Sequence, residues 1–250
     1  MTTNTTSIKD LLAQFVTDGK SPTLLKFVSE NFDKFHSHMT LFKQAYQLYA
    51  VDTDNVSKDA WSTGQLSSKL WLLEELSNRQ LDLGNVWVLC GWVGTLPMMM
   101  HYSTLPLHYN YIRSFDIDDR CAMLADTLNR PQVRQTWQFK ASTADVNNIS
   151  YRDFKFTTTK YDGTEQTIVE SADTVINTSC DHMSNNIWWD SIPVGTLVVL
   201  QNNNFAEVEE HVNNVADINE FKLKYPMTEL LYEGTLDCGL YNRYMLIGKK

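Results

Sequence analysis

The chain has 250 residues, of which 43% are hydrophobic and 20% are charged, and its formal net charge at pH 7 is −9. This length and apolar content allow one sizeable globular core and exclude an intrinsically disordered chain. A strongly acidic chain without a basic block also disfavours nucleic acid, because phosphates are bound mainly by lysine and arginine. We therefore expect a small-molecule or protein partner, and transfer RNA ranks below both.

No apolar run reaches the about 18 residues that a membrane-spanning helix requires. Residues 1–6 have neither a basic start nor an apolar core, so no secretion signal and no membrane contact are predicted. We expect a cytoplasmic protein with reduced thiols. The four cysteines are scattered and form no Cys-x-x-Cys pair, so the sequence predicts neither a disulfide framework nor a zinc site.

The first eighty residues are predicted to be helical. Apolar side chains recur at helical spacing over residues 8–16 and 24–32, and a third segment, residues 39–50, is rich in Phe, Tyr and Leu. These helices are interpreted as a layer over a sheet, or alternatively as a lid that shapes a substrate site.

A further helix is predicted over residues 62–76. Leucines recur from Leu66 to Leu76 along one face, whereas Gln65 and Lys69 lie on a polar side near the helix start. This polar side is either part of a binding site or an ordinary solvated face.

The most informative stretch is residues 86–94, a short apolar run that ends at Gly91 and Gly94 before a helix-like segment. Such a run predicts a strand buried on both faces, as in a parallel sheet. Because glycine lacks a Cβ, the backbone can take unusual dihedral angles there and approach a ligand closely. The alternative is an ordinary strand-to-helix turn.

A second apolar run, residues 109–115, ends at Asp116 and precedes a helical segment, residues 120–129. A carboxylate at the tip of the second strand of a βαβ unit can accept hydrogen bonds from both hydroxyls of a ribose. A third run, residues 135–141, leads to a further carboxylate at Asp145. This spacing predicts a nucleoside ligand.

The remaining elements complete an open sheet. Residues 154–169 form two alternating runs around Asp162-Gly163 and predict a β-hairpin. A fourth strand, residues 173–177, and a fifth, residues 196–201, both lead into polar segments. Because open sheets bind ligands at the carboxyl ends of their strands, we expect a pocket along that edge.

The last two strands are predicted over residues 229–235 and 241–248, joined by a turn-rich connector. The whole ordered set resembles the class I S-adenosylmethionine-dependent methyltransferases. The resemblance covers roughly residues 85–250. It implies an α/β, Rossmann-like methyltransferase sheet of about seven strands with the last strand antiparallel. Residues 1–80 would form an N-terminal helical cap of the same globular body, and residues 81–250 the S-adenosylmethionine-binding domain.

The same resemblance assigns the cofactor site. In that family the turn after strand one holds the methionine part, the acid ending strand two holds the ribose, and the acid after strand three faces the adenine amine. The corresponding residues here are Cys90, Gly91, Trp92, Gly94, Asp116, Ile117, Asp145 and Val146, with Asn177, Thr178 and Ser179 after strand four. Gln65 and Lys69 are placed in the pocket as well, with Lys69 opposite the cofactor's carboxylate.

The segment after strand four lies closest to the transferred methyl group in the resembled family, so Asp181 and His182 are the candidate catalytic residues. A histidine titrates near neutral pH and suits proton transfer, although methyl transfer can proceed by alignment alone. The alternative role for His182 is to cap or pack a helix start. No metal site is expected, because no metal-ligand spacing is found among His36, His38, His101, His108 and His211.

The sequence thus predicts an S-adenosylmethionine-dependent methyltransferase with an unidentified small-molecule or protein acceptor. This turn lacks the family's usual acid and carries a bulky Trp92, which leaves other reactions of the same cofactor open, such as aminocarboxypropyl transfer or cofactor breakdown. A non-catalytic binding module that kept the fold is the third alternative. Gln201 to Asn204 either contact a polar substrate or satisfy a loop, and Trp188-Trp189 either stack on a substrate or belong to the core.

Overall fold

The computed structural model describes residues 22–160 and 162–250, so the predicted helix over residues 8–16 lies outside the described part. The helices are α1 (Pro22–Glu30), α2 (His38–Val51), α3 (Thr63–Asn78), α4 (Thr95–Tyr102), α5 (Asp119–Leu128), α6 (Ile187–Asp190) and α7 (Ile218–Lys224). The strands are β1 (Asn85–Leu89), β2 (Tyr111–Asp116), β3 (Phe139–Thr143), β4 (Phe154–Thr159), β5 (Glu165–Glu170), β6 (Thr174–Asn177), β7 (Leu197–Asn203), β8 (Glu229–Asp237) and β9 (Asn242–Lys249).

Seven strands form one sheet in the order β3-β2-β1-β6-β7-β9-β8. The pairs from β3 to β7 are parallel, whereas β9 runs antiparallel to both of its neighbours. The predicted seven-stranded Rossmann-like sheet with an antiparallel last strand is therefore confirmed. The predicted hairpin is confirmed too: β4 and β5 pair across a turn in which Gly163 has φ +84°.

The core lies on both faces of this sheet, which explains why β1 is apolar without alternation. Val86 and Val88 point into one apolar cluster, and Trp87 and Leu89 point into the other. The first cluster also contains the apolar side chains of α1, α2 and α3, so the helices before β1 cover one face of the sheet as predicted.

Several strand boundaries differ from the prediction by one to four residues, and two of the differences have a clear structural cause. β3 begins at Phe139, because residues Gln132–Thr136 form a π-helical turn that ends at Trp137 with φ +58°. β7 continues to Asn203, since its last residues pair with β9 as far as Arg243. The amide side chains of Gln201 to Asn203 are thus buried in the sheet rather than displayed on a loop.

Trp188 and Trp189 belong to the second apolar cluster, with exposures of 0% and 2%, so they are core residues and not a stacking surface for a substrate. None of the helices in the described part of the chain combines the length and the apolar character needed to cross a bilayer.

Candidate functional site

The turn between β1 and α4 holds the two predicted glycines in tight contact with other protein atoms. A Cβ on Gly91 would lie 2.0 Å from Ser114 Oγ of β2. Gly94 has φ +75°, and a Cβ there would lie 2.7 Å from Asn129 Nδ2. Close packing against β2 and against the end of α5 therefore requires both glycines. The turn is also bent at Cys90 and Trp92, which have φ +49° and +48°.

Asp116, at the end of β2, contacts this turn directly. Its Oδ2 accepts the backbone N–H of Trp92 at 2.8 Å, and its Oδ1 accepts that of Asp118 at 3.1 Å. Burial raises the pKa of this carboxyl above its usual value. A carboxylate offers about four acceptor positions, so about two remain for further donors. The adjacent Ile117 is 72% exposed and presents an apolar surface beside them.

Asp145, after β3, accepts hydrogen bonds from residues of its own loop. Its Oδ1 accepts the backbone and side-chain N–H groups of Asn147 at 2.9 and 3.0 Å, and its Oδ2 accepts Asn148 Nδ2 at 2.9 Å. About one acceptor position remains for an amine. Val146 is buried in the second apolar cluster and contributes its side chain to the core.

The surroundings of Cys90 indicate that the carboxylates of Asp116, Asp145 and Asp181 lie near one another. Burial first, and then the negative charges of Asp116, Asp181 and Asp145, raise the pKa of Cys90 to about 12. The ends of β1, β2, β3 and β6 thus bring these side chains to one edge of the sheet. Because the thiol stays protonated at neutral pH, Cys90 is a poor candidate for a nucleophile.

The segment after β6 begins with Asn177, which is fully buried. Its Oδ1 accepts the backbone N–H of Ser179 at 2.9 Å, and its Nδ2 has no hydrogen-bond partner in the described part of the protein. The carbonyl oxygen of Thr178 accepts a hydrogen bond from Arg243 Nη1 of β9 at 3.3 Å. This segment is therefore held on one side by the last strand.

Asp181 and His182 follow in a short 3₁₀ helix, and the fold adds His211 to them. Asp181 Oδ2 lies 3.4 Å from His182 Nε2 and 3.1 Å from His211 Nε2. Asp181 is 2% exposed, whereas the His182 side chain is 43% exposed and faces solvent. His211 was not among the predicted site residues, because it reaches Asp181 only through the fold of the loop after β7.

Lys69 and Gln65 lie in a second polar group, which includes Arg243. Lys69 is buried, and its Nζ donates to Gln65 Oε1. Burial, and then the positive charge of Arg243, lower the pKa of Lys69 to about 7. Neither side chain forms an ion pair with a carboxylate of residues 22–160 or 162–250. The polar side of α3 therefore carries an enclosed amine beside a guanidinium rather than a solvated face. Arg243 was not among the predicted site residues.

Two hydrogen bonds join the helices before β1 to this edge of the sheet. Trp92 Nε1 donates to the carbonyl oxygen of Val56 at 3.0 Å, between α2 and α3. Gln201 Nε2 of β7 donates to the carbonyl oxygen of Ser68 at 3.0 Å. A groove of about 510 Å³ lies elsewhere, between α5, β3 and β4, and none of the predicted site residues lines it.

Comparison of the sequence with family models and with curated proteins finds no match. Solved structures do match. The N-methyltransferase NodS from Bradyrhizobium japonicum WM9, in complex with S-adenosyl-L-homocysteine, is 9% identical with a TM-score of 0.53, over 84% of this chain and 98% of that one. The DhpI–SAH complex is 13% identical with a TM-score of 0.51, over 86% and 98%. This protein therefore has the fold of the class I S-adenosylmethionine-dependent methyltransferases.

Proposed function

We propose that this protein binds S-adenosylmethionine and transfers its methyl group to a small-molecule or protein acceptor. The observation that carries the proposal is the Asp116 carboxylate, which holds the turn after β1 by one N–H and keeps about two acceptor positions for ribose hydroxyls. Its place at the end of the second strand of the sheet is the one that the fold family uses for this purpose.

The residues present fit such a cofactor. Asp116 would hold the ribose, Ile117 would pack on the adenine, and Asp145 would accept the adenine amine. The buried amine of Lys69 has a pKa of about 7 and forms no ion pair in the described chain, so it can become charged opposite the carboxylate of the methionine part. The turn backbone at Cys90, Gly91, Trp92 and Gly94, together with Asn177, Thr178 and Ser179, would enclose the rest.

When bound, the cofactor supplies an electrophilic methyl group on a sulfonium. The chain's own contribution is to hold the acceptor near the segment after β6, where alignment supplies much of the acceleration. His182, half-exposed and in contact with the buried Asp181, is placed to take a proton from the acceptor. Asp181 would hold the imidazole in position for this transfer.

The test is calorimetric titration of the protein with S-adenosylmethionine and, separately, with S-adenosylhomocysteine. Micromolar binding supports the proposal, and the absence of binding to both ligands overturns it. Product analysis then separates the reactions of this cofactor. Methyl transfer leaves S-adenosylhomocysteine, whereas aminocarboxypropyl transfer leaves methylthioadenosine, and binding without turnover identifies a non-catalytic module.

A further inference from the structure

The side chains of Asp181, His182 and His211 form an arrangement that the methyl-transfer proposal does not explain. Each offers one nitrogen or oxygen ligand atom, and these atoms lie within 4.8 Å of one another. The two imidazole rings meet edge to face with their centroids 4.8 Å apart. Two histidines and one carboxylate are ligands that zinc and other divalent transition metals accept.

The hydrogen bonding of His211 fixes the position of its proton. Its Nδ1 lies 2.6 Å from the carbonyl oxygen of Phe205, which can only accept, so Nδ1 must carry a hydrogen. In a neutral imidazole, Nε2 then presents a lone pair, and this lone pair faces Asp181 Oδ2 at 3.1 Å. Two acceptors at this distance require either a proton between them, carried by the ring or by the carboxyl group, or a metal ion.

The burial of the Asp181 carboxylate is a second observation that favours a bound cation. Its carboxylate is almost fully buried, and Oδ1 has no hydrogen-bond partner in the described part of the chain. A buried carboxylate is expensive unless it is paired or coordinates a metal. The contact of His211 Nδ1 with a backbone carbonyl is also the outer hydrogen bond that commonly orients a metal-binding histidine.

Two of the three separations between ligand atoms match a small ion, and the ligand atoms of the two histidines lie within 4.8 Å of each other. Metal–ligand bonds of about 2.0–2.1 Å in a tetrahedral site place the ligand atoms about 3.3 Å apart. Asp181 Oδ2 lies 3.1 Å from one histidine nitrogen and 3.4 Å from the other. The His182 side chain is 43% exposed, so a solvent molecule can supply a fourth ligand. We infer that Asp181, His182 and His211 bind one divalent transition-metal ion of the Zn²⁺ type, with one position open.

This site stands on its own geometry and needs no bound methyl donor. A catalytic role for this ion rests on the proposed methyl transfer. In that reaction the ion would act as a Lewis acid that binds the methyl acceptor. It then occupies the Nε2 lone pair of His182, so His182 cannot also accept a proton while the ion is bound. The acceptor's proton would pass to solvent, because coordination makes the acceptor more acidic.

The experiment is calorimetric titration of the chelator-stripped protein with Zn²⁺, together with absorption spectra of the Co²⁺ form. We expect one ion per chain and the visible bands of tetrahedral Co²⁺ with nitrogen and oxygen ligands. His211→Ala and Asp181→Asn should weaken binding at least about tenfold, whereas His108→Ala, at an exposed histidine outside the cluster, should leave it unchanged. Should either buried-site variant fail to fold, His182→Ala tests the same ligand set at a half-exposed position.

Three results would overturn the inference: no binding of either ion, unchanged affinity in the cluster variants, or thiolate-to-cobalt charge-transfer bands that assign the ion to a cysteine. The first result would leave a proton, on the ring of His211 or on the carboxyl group of Asp181, between these two side chains. Repeating the titration with S-adenosylhomocysteine in place of the metal keeps the two proposals separate, since each ligand can bind when the other does not.

Discussion

The carboxylate of Asp116, at the end of β2, accepts the backbone N–H of Trp92, in the turn after β1, across 2.8 Å. One side chain thereby fixes the conformation of the turn and lies at the proposed ribose position. The turn and the ribose acceptor are therefore positioned relative to each other before any ligand is present, which lowers the ordering cost of binding.

Replacing Asp116 with alanine should weaken the binding of S-adenosylhomocysteine by about 1–3 kcal/mol, because the hydroxyls lose their acceptors and the turn loses its support. Calorimetric titration measures this change. Asp59→Ala removes the same charge from an exposed position and should leave affinity unchanged. Unaltered affinity in Asp116→Ala would remove the ribose assignment.

Ligand binding near pH 8 should take up close to one proton per chain through Lys69. Its pKa of about 7 leaves the amine mostly uncharged at that pH. A bound carboxylate favours the charged form and raises this pKa, so the proton must come from the buffer. Titrations in buffers with different ionisation enthalpies measure the uptake.

Lys69→Met should abolish this uptake and weaken binding, whereas Lys155→Met, on the exposed face of the β4–β5 hairpin, should change neither. The same uptake in Lys69→Met would mean that the carboxylate binds elsewhere. The sign of the effect is specific, because a lysine with an ordinary pKa is already charged at pH 8 and takes up no proton.

Gly91→Ala should destabilise the protein by about 1–3 kcal/mol, the usual cost of overpacking a tight site. The added methyl would lie 2.0 Å from Ser114 Oγ, and the next neighbours are at 3.3 and 3.4 Å. Adding Ser114→Ala should therefore restore most of the loss in a chemical denaturation experiment. An equally unstable double variant would show that the backbone of the turn, not Ser114, excludes a side chain.

The β4–β5 hairpin is fastened to the main sheet by a buried ion pair. Arg113 of β2 is 1% exposed, and its Nε and Nη2 donate to the two carboxylate oxygens of Glu170 at 2.7 and 2.8 Å. Glu170→Ala leaves this guanidinium buried without its partner and should reduce the free energy of unfolding by about 3–5 kcal/mol.

The matched control for this hairpin prediction is Glu229→Ala, which breaks the pair with Lys249, where both side chains are about half-exposed. Exposed pairs contribute only about 0–1 kcal/mol, so the two variants should differ clearly in denaturant midpoint. Similar small losses in both would mean that water reaches Arg113 once Glu170 is removed.

The pattern of apolar, polar and glycine residues along short stretches of the sequence predicted most of the fold. The apolar run at β1, the acid that ends β2 and the Asp162-Gly163 turn each depend on neighbouring residues, and each is found where the sequence places it. β3 was displaced because Gln135 and Thr136 fit a strand by composition but are held in a π-helical turn. Nothing in the local pattern distinguishes these two conformations.

The composition of the site was less predictable, because it depends on strands that meet only in the folded protein. His211 contacts Asp181 through the loop after β7, and Arg243 contacts Thr178 from β9. Neither pair has a spacing that sequence can reveal. The burial of Lys69 was equally hidden, since a lysine on the polar side of a helix usually faces solvent.

The place of β9 has a consequence for the order in which the protein assembles. β8 precedes β9 in the chain, yet it joins the sheet only through β9, which lies between β7 and β8. In any partly folded state in which β9 is not yet paired, β8 therefore has no partner in the main sheet and β7 keeps an open edge. Open strand edges can pair with other chains, so the pairing of β9 closes the part of the sheet that is most exposed to aggregation.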